Sequence, residues 1–491
     1  MLFGVFSIWR ADDWYWILFN SILLLTIIFV VVVIVLENRD PIKTVSWLLV
    51  LFLLPVVGII LYLYVGRNFR KSKFFTLKGV ADKISIEQLR QDQLVRLDKQ
   101  IFIKDEKLTP KRNMMRLLLN NSKALITEKN QVRVLNNGRQ TFGSMIYELE
   151  NAKSHIHLEF YIIEDDIIGN RIKDILVKKA KAGVKVKVIY DDVGSWSLSR
   201  TYILELTNAG VEVHSFMPVR VYALANKVNY RLHRKIIVVD GRVGFVGGLN
   251  IADRYLRGLC KNYMWRDTHL RLEGESVHSL QTVFLTDWSF VSNRHTEEDG
   301  FFPPVKVGEE CLVQIVTSGP DSDWQSIMQA YFTAISTAKN YVYFSTPYFL
   351  PNESIMTALK AAALSGVDVR ILLPEKNDSW IVGHSGRSYL REVLESGVKV
   401  YLFKKGFTHS KLMIVDDIIS SVGTANLDIR SFDQDFEVNA LIYDEAVTIS
   451  LKKDYLEDVK LSQELDLASW MKRPRIHKWL ESFARVFSPL L

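Results

Sequence analysis

The first 66 residues contain two long stretches without a charged side chain. Residues 14–36 form one stretch of 23 positions, and residues 44–66 form a second stretch of 23. Because about 20 apolar residues in a helix cross the hydrocarbon core of a bilayer, each stretch predicts a transmembrane helix. A secretory signal peptide has a shorter apolar region, whereas a pair of buried core helices stays open as an alternative. Residues 1–70 are therefore predicted to form a two-helix transmembrane hairpin.

From about residue 131 the pattern changes to short apolar runs that alternate with helical periodicity. Residues 171–182 and 199–208 have the spacing of amphipathic helices, and residues 184–190 and 211–214 have that of buried strands. Alternation of strands and helices predicts an α/β sandwich.

This α/β pattern occurs twice. AKSHIHLEFYI (152–162) matches AKNYVYFSTPYF (338–349), AGVKVKVI (182–189) matches SGVDVRIL (365–372), and NAGVEV (208–213) matches ESGVKV (395–400). Matched segments in one order and at near-constant spacing indicate an internal repeat. We predict two pseudo-symmetric halves, residues 131–300 and 301–460, that pack about a pseudo-twofold axis.

The segments on either side of the two halves are charged. Residues 71–130 predict a basic linker or helical connector, and residues 67–112 carry 13 Lys or Arg against 6 Asp or Glu. This connector is either solvated or in contact with anionic lipid headgroups. Because cationic residues mark the cytoplasmic ends of membrane helices, the large domain is predicted on the cytoplasmic side of the cell membrane.

The last segment, 461–491, predicts an amphipathic tail. Ile476, Trp479 and Phe483 recur at steps of three and four residues, with basic residues nearby. Such a helix either lies in a membrane interface or docks on the protein core.

Composition narrows the class of protein. With 48% apolar residues, the chain can build a large core, which argues against disorder. The two cysteines, Cys260 and Cys311, provide neither a disulfide framework nor a zinc-binding spacing.

A further repeat carries candidate chemistry. RLHRKIIVVDG (231–241) and FTHSKLMIVDD (407–417) each contain His, any residue, Lys, four mostly apolar residues and Asp, 176 positions apart. Because strand side chains alternate, the histidine and lysine of each motif face one side, and the aspartate falls in a tight turn with a structural part to play. The candidate catalytic residues are His233, Lys235, Asp240, His409, Lys411 and Asp416.

Each motif is followed by matching residues. Gly247 and Gly423 lie 14 positions after the histidines, where glycine would allow close approach of a ligand. An asparagine 17 positions after each histidine can donate a hydrogen bond to a phosphate oxygen. A carboxylate later in each half, 34 positions after the first histidine and 28 after the second, is a candidate to hold the imidazole of its own half. The candidate binding residues are Asn250, Asn426, Asp267 and Glu437.

If the two motifs meet at the pseudo-twofold axis, one site holds two imidazoles, two ammonium groups and two amides. The lysines would stabilise a phosphodiester without a metal ion, so neither metal nor cofactor is expected. One histidine would attack phosphorus and the other would protonate the departing alkoxide, because imidazole supplies both protonation states near neutral pH.

These residues resemble a known family. HRKIIVVD and HSKLMIVD look like the paired HKD motifs of the phospholipase D superfamily. Residues 37–68, FVGGLNIADRY, WRDTHLRLEG, SVGTANLDIRSF and the closing SPLL are similar to bacterial cardiolipin synthases. The resemblance implies a membrane-bound enzyme that joins two phosphatidylglycerol molecules into cardiolipin and releases glycerol. It also implies a phosphatidyl group on His233 and a general acid at His409.

Three other functions fit part of the pattern. A phospholipase would use the same site with water as acceptor, and its product would be phosphatidic acid. A nuclease fits the basic charge, but two membrane spans argue against a nucleic-acid partner. A membrane scaffold would need decayed motifs, whereas both motifs are complete. The sequence leaves open the oligomeric state, the regulation and the use of phosphatidylethanolamine as a donor.

Overall fold

The computed structural model describes residues 14–36, 41–53, 58–59, 62, 82–102, 106–219, 230–257, 263–294, 300–308 and 311–488. The chain divides into two compact units. The N-terminal unit comprises Met1–Phe69 with Arg220–Asn229, and the larger unit comprises Arg70–Val219 with Tyr230–Leu491.

In the N-terminal unit, helix Trp14–Leu36 packs against helix Pro41–Leu53. Val30, Leu51 and Tyr62 are buried in this contact. Among the residues that the structure describes, no helix has the combined length and apolarity of a membrane span. The predicted span 44–66 lies partly outside the described residues.

The larger unit contains both halves. Strand β1 (Ile126–Thr127) precedes them in the chain. The first half contributes β2 (Asn130–Asn136), β3 (His155–Phe160), β4 (Lys185–Asp191), β5 (Glu212–Phe216), β6 (Lys235–Val239), β7 (Val243–Gly247), β8 (Met264–Arg266) and β9 (Thr268–Gly274). The second half contributes β10 (Leu312–Ser318), β11 (Tyr341–Ser345), β12 (Phe349–Leu350), β13 (Asp368–Pro374), β14 (Lys399–Phe403), β15 (Gly406–Thr408), β16 (Leu412–Val415), β17 (Ile419–Gly423), β18 (Leu427–Asp428), β19 (Glu437–Tyr443) and β20 (Ser462–Glu464).

Helices connect these strands and cover the sheets. In chain order they are Asp82–Asp98, the 3-10 helix Glu106–Lys111, Arg112–Asn121, Asn137–Asn151, Ile167–Lys181, Arg200–Asn208, Asp253–Arg257, Glu275–Ser292, Ser326–Ser336, Glu353–Leu364, Trp380–Glu395, Ile429–Asp433, Glu445–Lys460, Leu467–Met471 and Arg475–Arg485.

The two halves have the same sheet topology. The first sheet has the order β2-β9-β7-β6-β3-β4-β5, and the second contains the order β10-β19-β17-β16-β11-β13-β14 with β1 and β20 at its ends. In each half three neighbouring strands are parallel, and the strand that follows the motif histidine joins them antiparallel. The predicted pair of α/β halves is therefore confirmed.

Apolar side chains on both faces of the sheets hold the larger unit together. One core lies between the first sheet and its helices and includes Phe142, and another lies between the second sheet and its helices and includes Leu359. A third core joins the sheets, with Val246 of β7 and Val422 of β17 in one cluster. Because full burial of such a side chain contributes about 1.5–3 kcal/mol, the shared core holds the two halves in one orientation.

Part of the predicted connector belongs to this fold. Helix Arg112–Asn121 buries Met115 and Leu118 in the core of the second half, and β1 pairs with β10. Residues 71–81 and 103–105 of the same segment lie outside the described residues.

The motif aspartates occupy equivalent turns. Asp240 accepts hydrogen bonds from the backbone amides of residues 153–155, and Asp416 accepts them from residues 339–341, at 2.7–3.1 Å. Both aspartates have φ of 54°, a left-handed conformation that Asp adopts more readily than most residues. Each follows its strand at the end away from the motif histidine, so each closes a turn.

We expect Asp416→Ala to lower the free energy of unfolding by about 3 kcal/mol, because three amides lose a charged acceptor. Asp416→Asn should cost less, since its oxygen still accepts one bond and Asn tolerates the left-handed conformation. Denaturant unfolding of the full-length chain measures both. The control is Asp174→Ala, at an exposed position of helix Ile167–Lys181. Equal stability of Asp416→Ala and this control would contradict the assignment.

Candidate active site

Each motif histidine lies on a segment that crosses to the other half. β15, which leads into His409, pairs in parallel with β8, and Thr408 lies opposite Arg266. In the same way, Leu232 forms a bridge with Phe436. The residue after each pair continues the register, so each histidine is placed beside a carboxylate of the other half.

The two imidazoles are held by these carboxylates. His233 Nδ1 lies 2.8 Å from Glu437 Oε1, and His409 Nδ1 lies 2.8 Å from Asp267 Oδ2. The predicted pairing within each half is therefore wrong. Sequence distance suggested the nearer partner, whereas the pairing of β15 with β8 and the bridge at Leu232 exchange the carboxylates between halves. Both carboxylates are fully buried, and each contacts the Nδ1 atom of its imidazole.

The neighbours of the two carboxylates account for their different lengths. A Cβ at Gly248 would lie 2.1 Å from Asp267 Oδ1, so glycine leaves the space that this carboxylate fills. The matching position in the second half is Thr424, whose hydroxyl donates a hydrogen bond to Glu437. The shorter Asp beside Gly and the longer Glu beside Thr thus each place a carboxylate oxygen next to an imidazole.

Each motif lysine donates a hydrogen bond to the backbone carbonyl of the histidine in its own motif. Lys411 Nζ is 3.0 Å from His409 Nε2 and donates to the His409 carbonyl at 2.8 Å. Lys235 Nζ donates to the His233 carbonyl at 2.6 Å. Both lysine side chains are buried. In the second motif the imidazole and the ammonium group lie on one side of the chain, as predicted, but both motif histidines precede their strands, which begin at Lys235 and Leu412.

Both histidines border one cleft of about 470 Å³. The cleft wall includes the predicted Asn250 and Asn426. Further wall residues that the sequence reasoning did not select are Tyr161, Arg254, Tyr255, Trp265, Tyr348, Asp378, Asp428, Arg430 and Asp435. The internal repeat identifies two of these residues in the sequence, because Arg254 and Arg430 are 176 positions apart, the same spacing as the histidines.

Asn250 and the two predicted glycines have different surroundings from those expected. Asn250 uses its amide within the protein, accepting from Ile162 and donating to the Tyr255 hydroxyl at 2.9 Å. A Cβ at Gly247 would lie 2.6 Å from the Cα of His269, and one at Gly423 would lie 2.5 Å from the Cα of Asn439. The glycines therefore admit a neighbouring strand, and the expectation that they admit a ligand is wrong.

Burial controls the protonation of this site. It lowers the pKa of His409 to about 4 and holds that of His233 well below its usual range. Both imidazoles are therefore neutral near pH 7 when the cleft is empty. The Asp267 carboxylate assigns the proton of the His409 ring to Nδ1. Burial raises the pKa of Glu437 to about 7, so Glu437 in its ionised form accepts the Nδ1 proton of His233 and leaves the lone pair of His233 Nε2 available for attack.

Burial also lowers the pKa of Lys235 to about 7 and that of Lys411 to about 8. A bound phosphodiester carries negative charge, which raises the pKa of every cationic group around it. Binding of such a ligand and protonation of the site are therefore coupled.

We expect kcat/KM to fall as the pH rises through 8, because the free enzyme has then lost charge from Lys235 and Lys411, whereas the ionisation of Glu437 near pH 7 is complete. The kcat should fall at higher pH, since the bound anion keeps these amines protonated. Initial rates across this range, with circular dichroism as the control for unfolding, measure both. A kcat/KM that stays flat through pH 8 would contradict the assignment.

Two α/β halves that each supply a histidine to one cleft, with a buried lysine next to each histidine, define a phospholipase D-type fold. A family model described as cardiolipin synthase, phospholipase D-like domain, matches residues 145–288 and 331–459, and a phospholipase D-nuclease N-terminal model matches residues 24–67. The chain belongs to the cardiolipin synthase family and is an enzyme of the phospholipase D superfamily.

Individual relatives agree with this assignment. The chain is 45% identical to the cardiolipin synthase of Geobacillus sp. (strain WCH70), over 95% of this chain and 92% of the relative. It is 41% identical to the major cardiolipin synthase ClsA of Bacillus subtilis (strain 168), over 97% and 99%. A crystal structure of phosphatidylserine synthase from Haemophilus influenzae Rd KW20 has a TM-score of 0.58 at 16% identity, covering 79% of this chain and all of that one. That likeness is one of fold.

Proposed function

We propose that this chain condenses two phosphatidylglycerol molecules into cardiolipin and glycerol. The observation that carries the proposal is the crossed pair of histidines on one cleft, each with Nδ1 held by a buried carboxylate of the other half. Such an arrangement offers one imidazole as nucleophile and the other as acid and base. Relatives that carry the name cardiolipin synthase match nearly the whole chain.

In the first half-reaction, His233 Nε2 attacks the phosphorus of one phosphatidylglycerol. The bond from phosphorus to the glycerol headgroup breaks, and His409 delivers a proton to the departing glycerol oxygen. Lys235 and Lys411 stabilise the charge that develops on the phosphate oxygens. The donor phosphate raises the pKa of His409 from its low value in the empty cleft. His409 is therefore protonated, and able to act as an acid, only when substrate is bound.

In the second half-reaction, His409 is neutral and acts as the base. It takes the proton from a glycerol hydroxyl of the second phosphatidylglycerol, whose oxygen attacks the phosphatidyl group on His233. The nitrogen–phosphorus bond breaks, which restores His233 and forms cardiolipin. The two histidines return to their starting states, so the cycle needs no cofactor.

Purified full-length protein tests the proposal in detergent with phosphatidylglycerol. We expect equal amounts of cardiolipin and glycerol from the unaltered chain, and neither product from His233→Ala or His409→Ala. His477→Ala, an exposed position on helix Arg475–Arg485, is the control and should retain full activity. Phosphatidic acid in place of cardiolipin would identify a hydrolase and overturn the proposal.

We further propose that residues 1–70 form a membrane hairpin that holds the larger unit on the cytoplasmic side of the cell membrane. The support lies in the sequence, where residues 14–36 and 44–66 lack charged side chains and cationic residues follow the second stretch. Labelling of intact cells with an impermeant thiol reagent tests the orientation. Asp40→Cys should react from outside, and a cysteine placed at Asp174 should not.

The C-terminal helix Arg475–Arg485 is proposed to lie at the membrane surface. It packs on helix Trp380–Glu395 and buries Ala484 and Glu481, while Trp479 is 74% exposed and Phe483 is 60% exposed. The helix thus docks through its small and polar side and turns its apolar stripe outward. An outward apolar stripe among basic residues suits the interface of an anionic bilayer.

A further inference from the structure

An exposed tryptophan follows β4 in the first half. The last residue of β4, Asp191, accepts a hydrogen bond of 2.9 Å from the backbone of Leu232, next to His233. The loop after it packs against the cleft wall, because Ser195 Oγ donates to the carbonyl of Tyr161 at 3.0 Å. Trp196 continues this loop and is 86% exposed. Its indole therefore stands on the rim of the cleft.

A matching tryptophan follows β13 in the second half. Trp380 is 56% exposed, and Asp378 and Val382, two residues before and two residues after it, belong to the cleft wall. Trp196 and Trp380 are 184 positions apart, close to the offset of 183 between the strands that precede them. The same strand end thus carries an exposed indole in both halves.

A third exposed tryptophan follows β10. The last residue of β10, Ser318, lies opposite Glu437, the carboxylate that holds His233. Trp324 stands in the loop beyond it and is 56% exposed. The neighbouring Gln325 donates to Asp433 on the short helix that carries Arg430 of the cleft wall. This loop is therefore at the same end of the sheets as the other two.

We propose that Trp196, Trp324 and Trp380 dock the mouth of the cleft on the surface of a phospholipid bilayer. Indole rings favour the headgroup level of a membrane, where the apolar ring and the polar N–H are both accommodated. Cations stand four positions from two of them, at Arg200 and Lys376, which are exposed. Exposed carboxylates stand close to two of them as well, at Asp323 and Asp378, so the indole rings and not the local charge carry the docking.

A phospholipid bilayer is the expected partner of this surface, because the surface is continuous with the cleft. This inference rests on the proposed function, in which both substrates are lipids whose headgroups must reach His233 and His409. A cleft pressed against the interface receives headgroups without exposing acyl chains to water. It also limits the access of water to the phosphatidyl group on His233, which favours transfer to the second lipid over hydrolysis.

Depth measurements on the full-length chain in phosphatidylglycerol vesicles test the docking directly. Trp196, Trp324 and Trp380 are each replaced by a single cysteine, in a chain whose Cys260 and Cys311 are changed to serine and alanine. Each cysteine carries a fluorophore, and lipids with a quencher at headgroup depth are added. We expect quenching at all three positions.

The matched control is Leu364→Cys with the same label. Leu364 is 75% exposed, and it ends the helix that leads into β13, so it lies at the opposite edge of the sheet. This position should remain unquenched. The proposal is overturned if any of the three rim labels stays as accessible to water as the label at Leu364.

A turnover assay separates this inference from the proposed function. A variant with Trp196→Ser, Trp324→Ser and Trp380→Ser should lose about tenfold or more of its rate on vesicles. It should retain its rate within about twofold on a short-chain phosphatidylglycerol that is dissolved as monomers. Equal rates of variant and unaltered chain on vesicles would overturn the docking. Failure of the unaltered chain to form cardiolipin from either lipid would instead overturn the proposed function.

Discussion

His233→Asn should form no covalent intermediate with any donor, whereas His409→Asn should still form one when the leaving group is weakly basic. A nitrophenyl phosphodiester of a lipid is such a donor, because nitrophenolate departs without a proton. With this donor, we expect His409→Asn to release one equivalent of nitrophenolate in a burst and then to stall, since it lacks the base for the second step. His233→Asn should show no burst.

With phosphatidylglycerol as donor, both variants lose activity for different reasons. Loss of the nucleophile should cost at least about 10⁴-fold in rate, and loss of the general acid about 10²–10⁴-fold. Mass spectrometry under alkaline conditions should find the phosphatidyl group on His233 in stalled His409→Asn. A burst in His233→Asn and none in His409→Asn would exchange the two roles. Neither variant showing a burst would remove the covalent intermediate.

Glu437→Gln should slow the formation of the intermediate, whereas Asp267→Asn should leave it nearly unchanged with the nitrophenyl donor. Glu437 holds the ring of the nucleophile His233, and an amide in its place favours the wrong tautomer, which can cost up to about 10⁴-fold. Asp267 holds His409, whose proton this donor does not need. With phosphatidylglycerol, Asp267→Asn should be slow as well.

This comparison tests the crossing of the halves. If each carboxylate served the histidine of its own half, Asp267→Asn would slow the burst and Glu437→Gln would spare it. The control is Glu395→Gln, an exposed carboxylate that pairs with Arg391 on helix Trp380–Glu395. It should match the unaltered chain with both donors. Rapid mixing with absorbance detection of nitrophenolate measures all three variants.

Local patterns carried much of the fold in the sequence. The two-residue spacing predicted His409 and Lys411 on one side, although both lie just before strand β16, and the aspartate after each motif strand predicted a turn. The order of repeated segments predicted two equivalent halves, because each half folds from contacts that recur at the same spacing. The packing of helix Arg112–Asn121 was not predictable in the same way, since its core partners lie about 200 residues away in the second half.

The residues themselves determined which imidazoles, ammonium groups and carboxylates were available, and the repeat at 176 positions singled them out. Only the tertiary structure decided which carboxylate holds which histidine, because β15 pairs with β8 across the two halves. It also gathered Tyr161, Arg254 and Tyr348 on one cleft wall and left Trp196, Trp324 and Trp380 exposed on the segments after β4, β10 and β13. The periodicity of a segment shows only which of its own residues share a face. Which residues of the two halves contact each other depends on long-range strand pairing and on the shared core.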